Sequence, residues 1–428
     1  MKLLTAEQFF QQKQNLTDQT NYRNVDSAVL DIIADVQKSG DNALVKLTEK
    51  FDGVLLDELA VSEEEFLEAE KSVSEEFKQA IRTAKENILT FHANQTEQSW
   101  FINQPGGITL GQKVTPMERV GVYIPGGKAS YPSTVLMNVI PAQLAGVKEI
   151  TITTPPNSDG KVSPYVLAAA KEAGVDTVYK VGGAQAVAAL AYGTETIKKV
   201  FKIVGPGNAY VARAKKWVFG DVAIDMIAGP SEICIVADET APPNFVAADL
   251  LSQAEHDEDA RPILITTSNE VAEAVQAAAY EQAEQRERKD IIQKSLSTNG
   301  RIVLADTLAE AIATANDIAP EHLQLMINEP FENLATITNA GAIFIGNYSP
   351  EALGDYAAGP NHTLPTSGTA AFSSPLGVYD FVKKSSVIHY PHQALASISK
   401  DITTLADAEG LSAHSYSIHI RKDEEDDA

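Results

Sequence analysis

From about residue 120 the chain alternates short β-branched runs with Ala-rich helical stretches, and no other feature constrains the fold as strongly. The first series of runs is Val120–Ile124, Glu149–Thr154, Thr177–Val181 and Val200–Val204, each followed by a helical stretch. A second series lies near Ile233–Val236, Ile263–Thr267, Ile302–Leu304 and Ala342–Phe344. Strands alternating with helices in this way form βαβ units, in which a parallel sheet is covered on both faces. Two α/β layers are the simplest account. The first hundred residues read as a helical entry segment. Thr5-Ala6-Glu7-Gln8 and Ser62-Glu63-Glu64-Glu65 fit the capping-box pattern, and Val29, Ile32, Ile33 and Val36 follow helical spacing up to Gly40. The tail from about residue 377 has no clear repeat and closes on Arg421-Lys422 and the acids Asp423 to Asp427, a charge block expected to be a solvated end.

With 428 residues, the chain is long enough for two to four domains of about 100–200 residues, each able to bury its own core. One Cys excludes an internal disulfide framework and an all-thiolate zinc site, so a bound metal must use His, carboxylate or amide ligands. A formal charge of −24 argues against nucleic acid and anionic membranes as partners, because both need a basic footprint. It favours a small neutral or cationic ligand. The N-terminus, Met-Lys-Leu-Leu-Thr-Ala-Glu-Gln, has no apolar run of signal-peptide length, and nowhere do about 18 apolar residues occur together, which predicts a soluble, cytoplasmic protein.

Three glycine clusters sit at strand ends: Tyr123-Ile124-Pro125-Gly126-Gly127, Val181-Gly182-Gly183-Ala184-Gln185 and Val204-Gly205-Pro206-Gly207-Asn208. Glycine there lets the backbone approach a phosphate, and the helix that follows offers unpaired N–H groups. None completes G-x-G-x-x-G, because Tyr210 stands where the third Gly would be. Each alone reads as a structural turn rather than a ligand loop; three in one α/β region raise the odds of a nucleotide crevice of a non-standard kind.

Four polar constellations follow. Gln253 and His256, three apart at the end of a helix starting near Asn244, either chelate one metal or form a polar last turn. Ala319-Pro320-Glu321-His322 joins a carboxylate that could activate water to an imidazole suited to proton transfer at neutral pH; the alternative is a surface Glu beside a half-buried His. Gly354-Asp355-Tyr356-Ala357-Ala358-Gly359-Pro360-Asn361-His362 is too rich in Gly and Pro for a regular element and reads as a binding loop or a plain connection. Glu409-Gly410-Leu411-Ser412-Ala413-His414 alone is a helix end with a Gly stop. Cys234 lies in an apolar run typical of a buried strand, which argues against a nucleophile, whereas Ser231 sits in a turn where it can contact a ligand.

Taken in order, GVYIPGG, KVGGAQAVAALAYGTET, KIVGPGNAYVARAK, IDMIAGPSE, LLSQAEHDEDA, APEHLQL, GDYAAGPNHTLPTSGTA and EGLSAH resemble the histidinol dehydrogenase family over roughly residue 20 to Arg421. The resemblance implies two Rossmann-like α/β domains without the usual dinucleotide fingerprint, a helical N-terminal segment and a small C-terminal segment. It divides the chain into 1–20, a discontinuous first domain of 21–122 with 231–376, a second domain of 123–230, and a dimer-exchanging segment of 377–428 with the acidic tail. It further implies one zinc ion per subunit held by Gln253, His256, Asp355 and His414, catalysis by Glu321 and His322, and NAD contacts at Tyr123, Gln185 and Asn208. Substrate contacts carried over in the same way are Ser231, Gln253, His256, His322, Asp355, Glu409 and His414, with His362 as an additional contact. The implied reaction is oxidation of L-histidinol to L-histidine by NAD through the aldehyde, in a homodimer whose subunits exchange Glu409 and His414. Two other classes compete: a zinc hydrolase with Glu321 as base, which leaves the glycine clusters without a role, and a catalytically silent imidazole-binding protein.

Overall fold

The computed structural model describes residues 1–16, 23–126 and 130–422, so Gly127 of the first glycine cluster and the expected acidic end Asp423 to Asp427 lie outside the described residues. The chain divides into two compact units, residues 1–95 with 117–381 and residues 96–116 with 382–428.

Both predicted strand series form parallel sheets within the first unit. One sheet contains Glu232–Ala237, Arg261–Thr266, Arg301–Leu304, His322–Met326 and Ala342–Ile345; the other contains Arg119–Tyr123, Glu149–Thr154, Val178–Lys180, Lys202–Val204 and Ala223–Ile224. Counted in chain order, the five strands of each lie side by side as 3-2-1-4-5. In both, the order reverses between strands one and four, which is where a parallel α/β sheet opens a crevice. Burial on both faces explains the unbroken apolar runs: Ile233, Cys234, Ile235 and Val236 are all fully buried, as are Val120 and Val122.

Two sequence expectations are corrected here. Lys2–Thr5 is a strand, paired in parallel with Arg301–Leu304 at the edge of the 232–345 sheet, so the N-terminal segment is not wholly helical. The Thr5–Gln8 capping box does form immediately after it, with Thr5 N–H donating to Gln8 Oε1 and Gln8 N–H to Thr5 Oγ1. The grouping of 21–122 with 231–376 also fails. Val29, Ile32, Ile33 and Val36 of helix Arg23–Ser39 share a core with Val187, Leu190 and Val211, and Ile81 and Ile88 of helix Glu75–His92 share one with Val120 and Val135. Asp26 fixes the first of these helices by accepting from Arg213 Nε and Nη2 at 2.5 and 2.6 Å and from Trp217 Nε1 at 3.0 Å. The helical entry therefore covers the 119–224 sheet. The capping box predicted at Ser62 forms, with Ser62 N–H donating to Glu65 Oε2 and Glu65 N–H to Ser62 Oγ.

The second unit is an antiparallel sheet in the order 382–389, 108–116, 100–104, with helices His392–Ala408 and Ser412–Lys422. The expected C-terminal segment thus needs residues 96–116 to make a sheet, a pairing across about 270 residues, from Val382 with Pro116 to His389 with Thr109, that local periodicity does not record.

Candidate active site

The polar residues of the 232–345 domain gather at the amino ends of its strands. Glu232 opens strand one, Arg261 opens strand two, and His322 opens strand four, with Glu321 just before it. Ala319 ends the preceding helix Leu308–Ile318 in the left-handed conformation at φ 49°, so the chain turns sharply into the sheet, as Pro320 suggested. Because strand Glu232–Ala237 pairs directly with His322–Met326, backbone groups of Glu232 reach both residues. Glu232 N–H donates to Glu321 Oε2 at 2.9 Å, and Glu232 C=O accepts from His322 Nδ1 at 2.8 Å. That second bond fixes the tautomer: Nδ1 carries the proton and Nε2 keeps a free lone pair. His322 Nε2 is buried without a hydrogen-bond partner and lies 3.9 Å from Asp355 Oδ1.

The helices that follow these strands return to the same edge. Gln253 lies in the last turn of helix Pro243–Ala254, and His256 comes just after it, its N–H donating to Gln253 C=O at 3.1 Å. The expected shared helix face is therefore a tight turn, because the helix ends at Ala254. Asp355, expected in a loop, sits in the short helix Glu351–Tyr356. Gly354 permits this helix to lie close to the sheet, since a Cβ there would meet the Phe344 ring at 2.7 Å. The helix also brings in Glu351, which sequence reasoning missed. Pro350-Glu351 is a helix-start signal that places Glu351 four residues before Asp355, on the same face. His322, Glu351 and Asp355 offer ligand atoms all within 4.8 Å of one another.

Burial dominates the electrostatics. It pushes the Glu321 carboxyl well above the usual range, reinforced by the nearby Glu232, Asp355 and Glu351 charges. Asp355 is raised well above its ordinary value by burial and by Glu351. Glu351 is held below the usual range despite its burial: a proton on His322 would favour its charge, and so do the hydrogen-bonding groups of Asp355, Ser252 and Gln253. Burial lowers the His322 pKa, keeping the ring neutral. His362, suggested as a ligand contact, has both ring nitrogens engaged within the chain: Nδ1 at 3.0 Å from Asp355 C=O and Nε2 at 3.2 Å from Thr134 Oγ1. Burial brings it down to about 4.

A metal fits this edge. Both polar atoms of the Gln253 side chain and Glu351 Oε1 are buried without a partner of good geometry, beside an imidazole and a second carboxylate. Amide, imidazole and carboxylate together suit a borderline cation such as zinc. Arg261 pairs with Glu232, but among the described residues no lysine or arginine pairs with Glu351 or Asp355, so these two close carboxylates form a site that a cation would stabilise.

The 119–224 domain carries its candidate residues at the opposite, carboxyl ends of the strands. Tyr123 closes strand one; its buried phenol accepts from Gly183 N–H at 3.2 Å and is raised to about 12 by burial. Gln185 is buried in the first turn of helix Gly183–Tyr192. Asn208 caps helix Ala209–Val218, its Oδ1 accepting from Tyr210 and Val211 N–H. Both glycine-cluster strands at the crossover, Arg119–Tyr123 and Lys202–Val204, therefore end in this crevice.

The two edges meet. His362 connects Asp355 with Thr134, near the start of helix Pro132–Ala145, and Asn361 Nδ2 donates to Met137 C=O at 2.6 Å in the same helix. Ser231 lies between Gly229, whose N–H donates to Thr366 Oγ1 at 2.7 Å, and Glu232. Cys234 is fully buried and its thiol is pushed up by that burial, so it stays inert packing. Glu409 and His414 belong to the second unit, at the end of helix His392–Ala408 and within Ser412–Lys422, and both are exposed there. Among the described residues no helix is long and apolar enough to cross a membrane.

The family model described as histidinol dehydrogenase matches residues 15–422. The histidinol dehydrogenase of Oceanobacillus iheyensis is 57% identical over 423 residues, covering 99% of both chains. That of Listeria monocytogenes is 52% identical over 427 residues, covering 99% of this chain and 100% of the relative. The crystal structure of histidinol dehydrogenase from Elizabethkingia anophelis superposes with a TM-score of 0.90 at 42% identity, over 95% of this chain and 93% of that one. On the match of the family model and of full-length relatives, the chain belongs to the histidinol dehydrogenase family.

Proposed function

We propose that the chain oxidises L-histidinol to L-histidine through the aldehyde, with two NAD molecules consumed in succession at one site. The observation that carries this reading is the buried Glu321-His322 pair, each member held by the backbone of Glu232, at an edge that also presents Gln253 and Asp355. Zinc would be held by Gln253, His256 and Asp355, with His414 supplied by a second copy of the chain. When bound, zinc would supply a Lewis-acid anchor for the substrate's nitrogen groups, and the nicotinamide would supply the hydride acceptor.

The chain's own groups handle the protons. His322 Nε2, neutral and unpartnered, accepts the alcohol proton as hydride leaves the carbinol carbon, giving the aldehyde. Glu321, a stronger base than an ordinary carboxylate once ionised, draws a proton from water that adds to the aldehyde carbon, while His322 returns its proton to the aldehyde oxygen. The resulting hydrate gives up a second hydride to NAD and a hydroxyl proton to His322, leaving the carboxylic acid. The buried edge keeps the aldehyde from escaping between the steps. Ser231, His322 and Asp355 would contact the substrate, joined by Gln253 and His256, while Glu409 and His414 of a second subunit close the site. Tyr123, Gln185 and Asn208 would line the NAD crevice. A homodimer with shared sites follows from this division, as does a cytoplasmic location where NAD is available.

The test is stoichiometry. Zinc-loaded protein given L-histidinol and NAD should form two reduced nicotinamides per L-histidine. A single reduced nicotinamide with aldehyde release, or no reduction at all, would overturn the reading.

A further inference from the structure

The 119–224 domain contains a buried ion pair that the proposed chemistry does not use. Lys215, in helix Ala209–Val218, pairs with Asp225, just beyond strand Ala223–Ile224, and their side chains are only 2% and 1% exposed. Both charges also grip one residue of the loop after strand four. Lys215 Nζ donates to Gly205 C=O at 2.9 Å, and Gly205 N–H donates to Asp225 Oδ2 at 2.7 Å. Asp225 Oδ1 accepts in addition from Met226 N–H at 2.6 Å.

Gly205 occupies the point where the strand order reverses. Its φ is +111°, and a Cβ there would meet Tyr123 C=O at 2.1 Å, so its backbone is pressed against the end of strand one. Both polar groups of this peptide segment are thus claimed from below by opposite charges, and the chain must leave Gly205 in one direction, towards Gly207 and the Asn208 cap. Apolar residues of similar volume would stabilise a fold at least as well as a buried ion pair, but they could not fix the orientation of a backbone amide.

We propose that Lys215 and Asp225 are positioning residues for the dinucleotide: they set the Gly205–Asn208 loop and so determine NAD affinity without touching the cofactor. The inference rests on the assignment of NAD to this crevice. It differs from that assignment in locating part of the affinity in two side chains beneath the loop.

Asp225→Asn keeps the shape of the side chain but removes the charge and one acceptor. Lys215→Met combined with Asp225→Asn removes both charges, so that no unpaired ion is left buried. In either folded variant, with thermal melting checked, the NAD dissociation constant should rise on the order of tenfold to a hundredfold, as expected for lost charge-assisted hydrogen bonds. Zinc content and histidinol binding should be unchanged, and kcat at saturating NAD should stay within about twofold. Parental NAD affinity in a folded variant overturns the proposal, and so does failure of both variants to fold, which would assign the pair to stability alone. Parallel titrations of Gln185→Ala and Asn208→Ala separate the two readings. Unchanged affinity in those variants discards the crevice assignment itself, whereas weakened affinity there with parental affinity in the ion-pair variants discards only the positioning role.

Discussion

The two parallel sheets share one strand order but place their functional groups at opposite ends. In the 119–224 domain, Tyr123, Gly183 and Gly205 lie at the carboxyl edge, where the following helices begin. In the 232–345 domain, Glu232, Glu321 and His322 lie at the amino edge, where helices such as Pro243–Ala254 end. The difference teaches how one topology can serve ligands of opposite charge, as the proposed function requires. Helix N-termini offer free N–H groups and a positive dipole end to an anionic dinucleotide, while helix C-termini and carboxylates favour a metal and a cationic amino alcohol. On the proposed assignment the overall charge of −24 does not conflict with binding NAD, because the anion would meet an edge built from backbone donors.

The largest effect expected from breaking this division is at the amino edge. On the proposed mechanism His322→Asn removes the lone pair that would take the alcohol proton and should lower kcat on the order of 10²–10⁴-fold. Equilibrium titration should find NAD binding unaltered. Glu321→Gln should follow, with aldehyde oxidation falling on the order of a hundredfold and histidinol oxidation much less. Single-turnover assays starting from each substrate distinguish the halves, and equal loss in both would contradict the roles given to the two residues.

At the carboxyl edge, Tyr123→Phe removes the acceptor for Gly183 N–H. A neutral hydrogen bond of about 1 kcal/mol implies a rise in KM for NAD of roughly fivefold, with KM for histidinol unchanged. A rise in both constants would mean that the edges are not separable.

The smallest effect concerns stability behind the amino edge. Burial raises Asp249 to about 6, against the opposing hydrogen bond from Gln324. The unfolded value is near 3.9, so the folded state holds the proton more tightly and stability falls as pH rises from about 4 to 6. Above that range the loss is complete. Asp249→Asn should therefore raise Tm at pH 7.5 by roughly 1–2 °C and make no difference near pH 4, as followed by thermal unfolding.

Much of this was legible in the chain. The strand series, the glycine clusters at strand ends and the Pro320 break before Glu321 are local signals, set by periodicity and backbone preference. Three things were not. The seating of residues 23–92 depends on which apolar stripe meets which sheet, and both sheets carry Val- and Ile-rich cores. The Lys2–Thr5 strand is only four residues long and merges with a helix start. Asp355 looked like part of a loop because Gly354 and Gly359 suggest irregular backbone, whereas Gly354 serves a close approach to Phe344 within a helix. Glu351 went unnoticed for the same reason: without that helix, nothing aligns it with Asp355.

The most direct test of the division is to strip the metal with a chelator and titrate each ligand separately by calorimetry. The account predicts that histidinol binding disappears, returns on adding zinc, and leaves NAD affinity at the level of the loaded protein throughout. NAD binding lost together with the metal, or histidinol bound equally well without it, would contradict the assignment of cation and anion to opposite sheet edges.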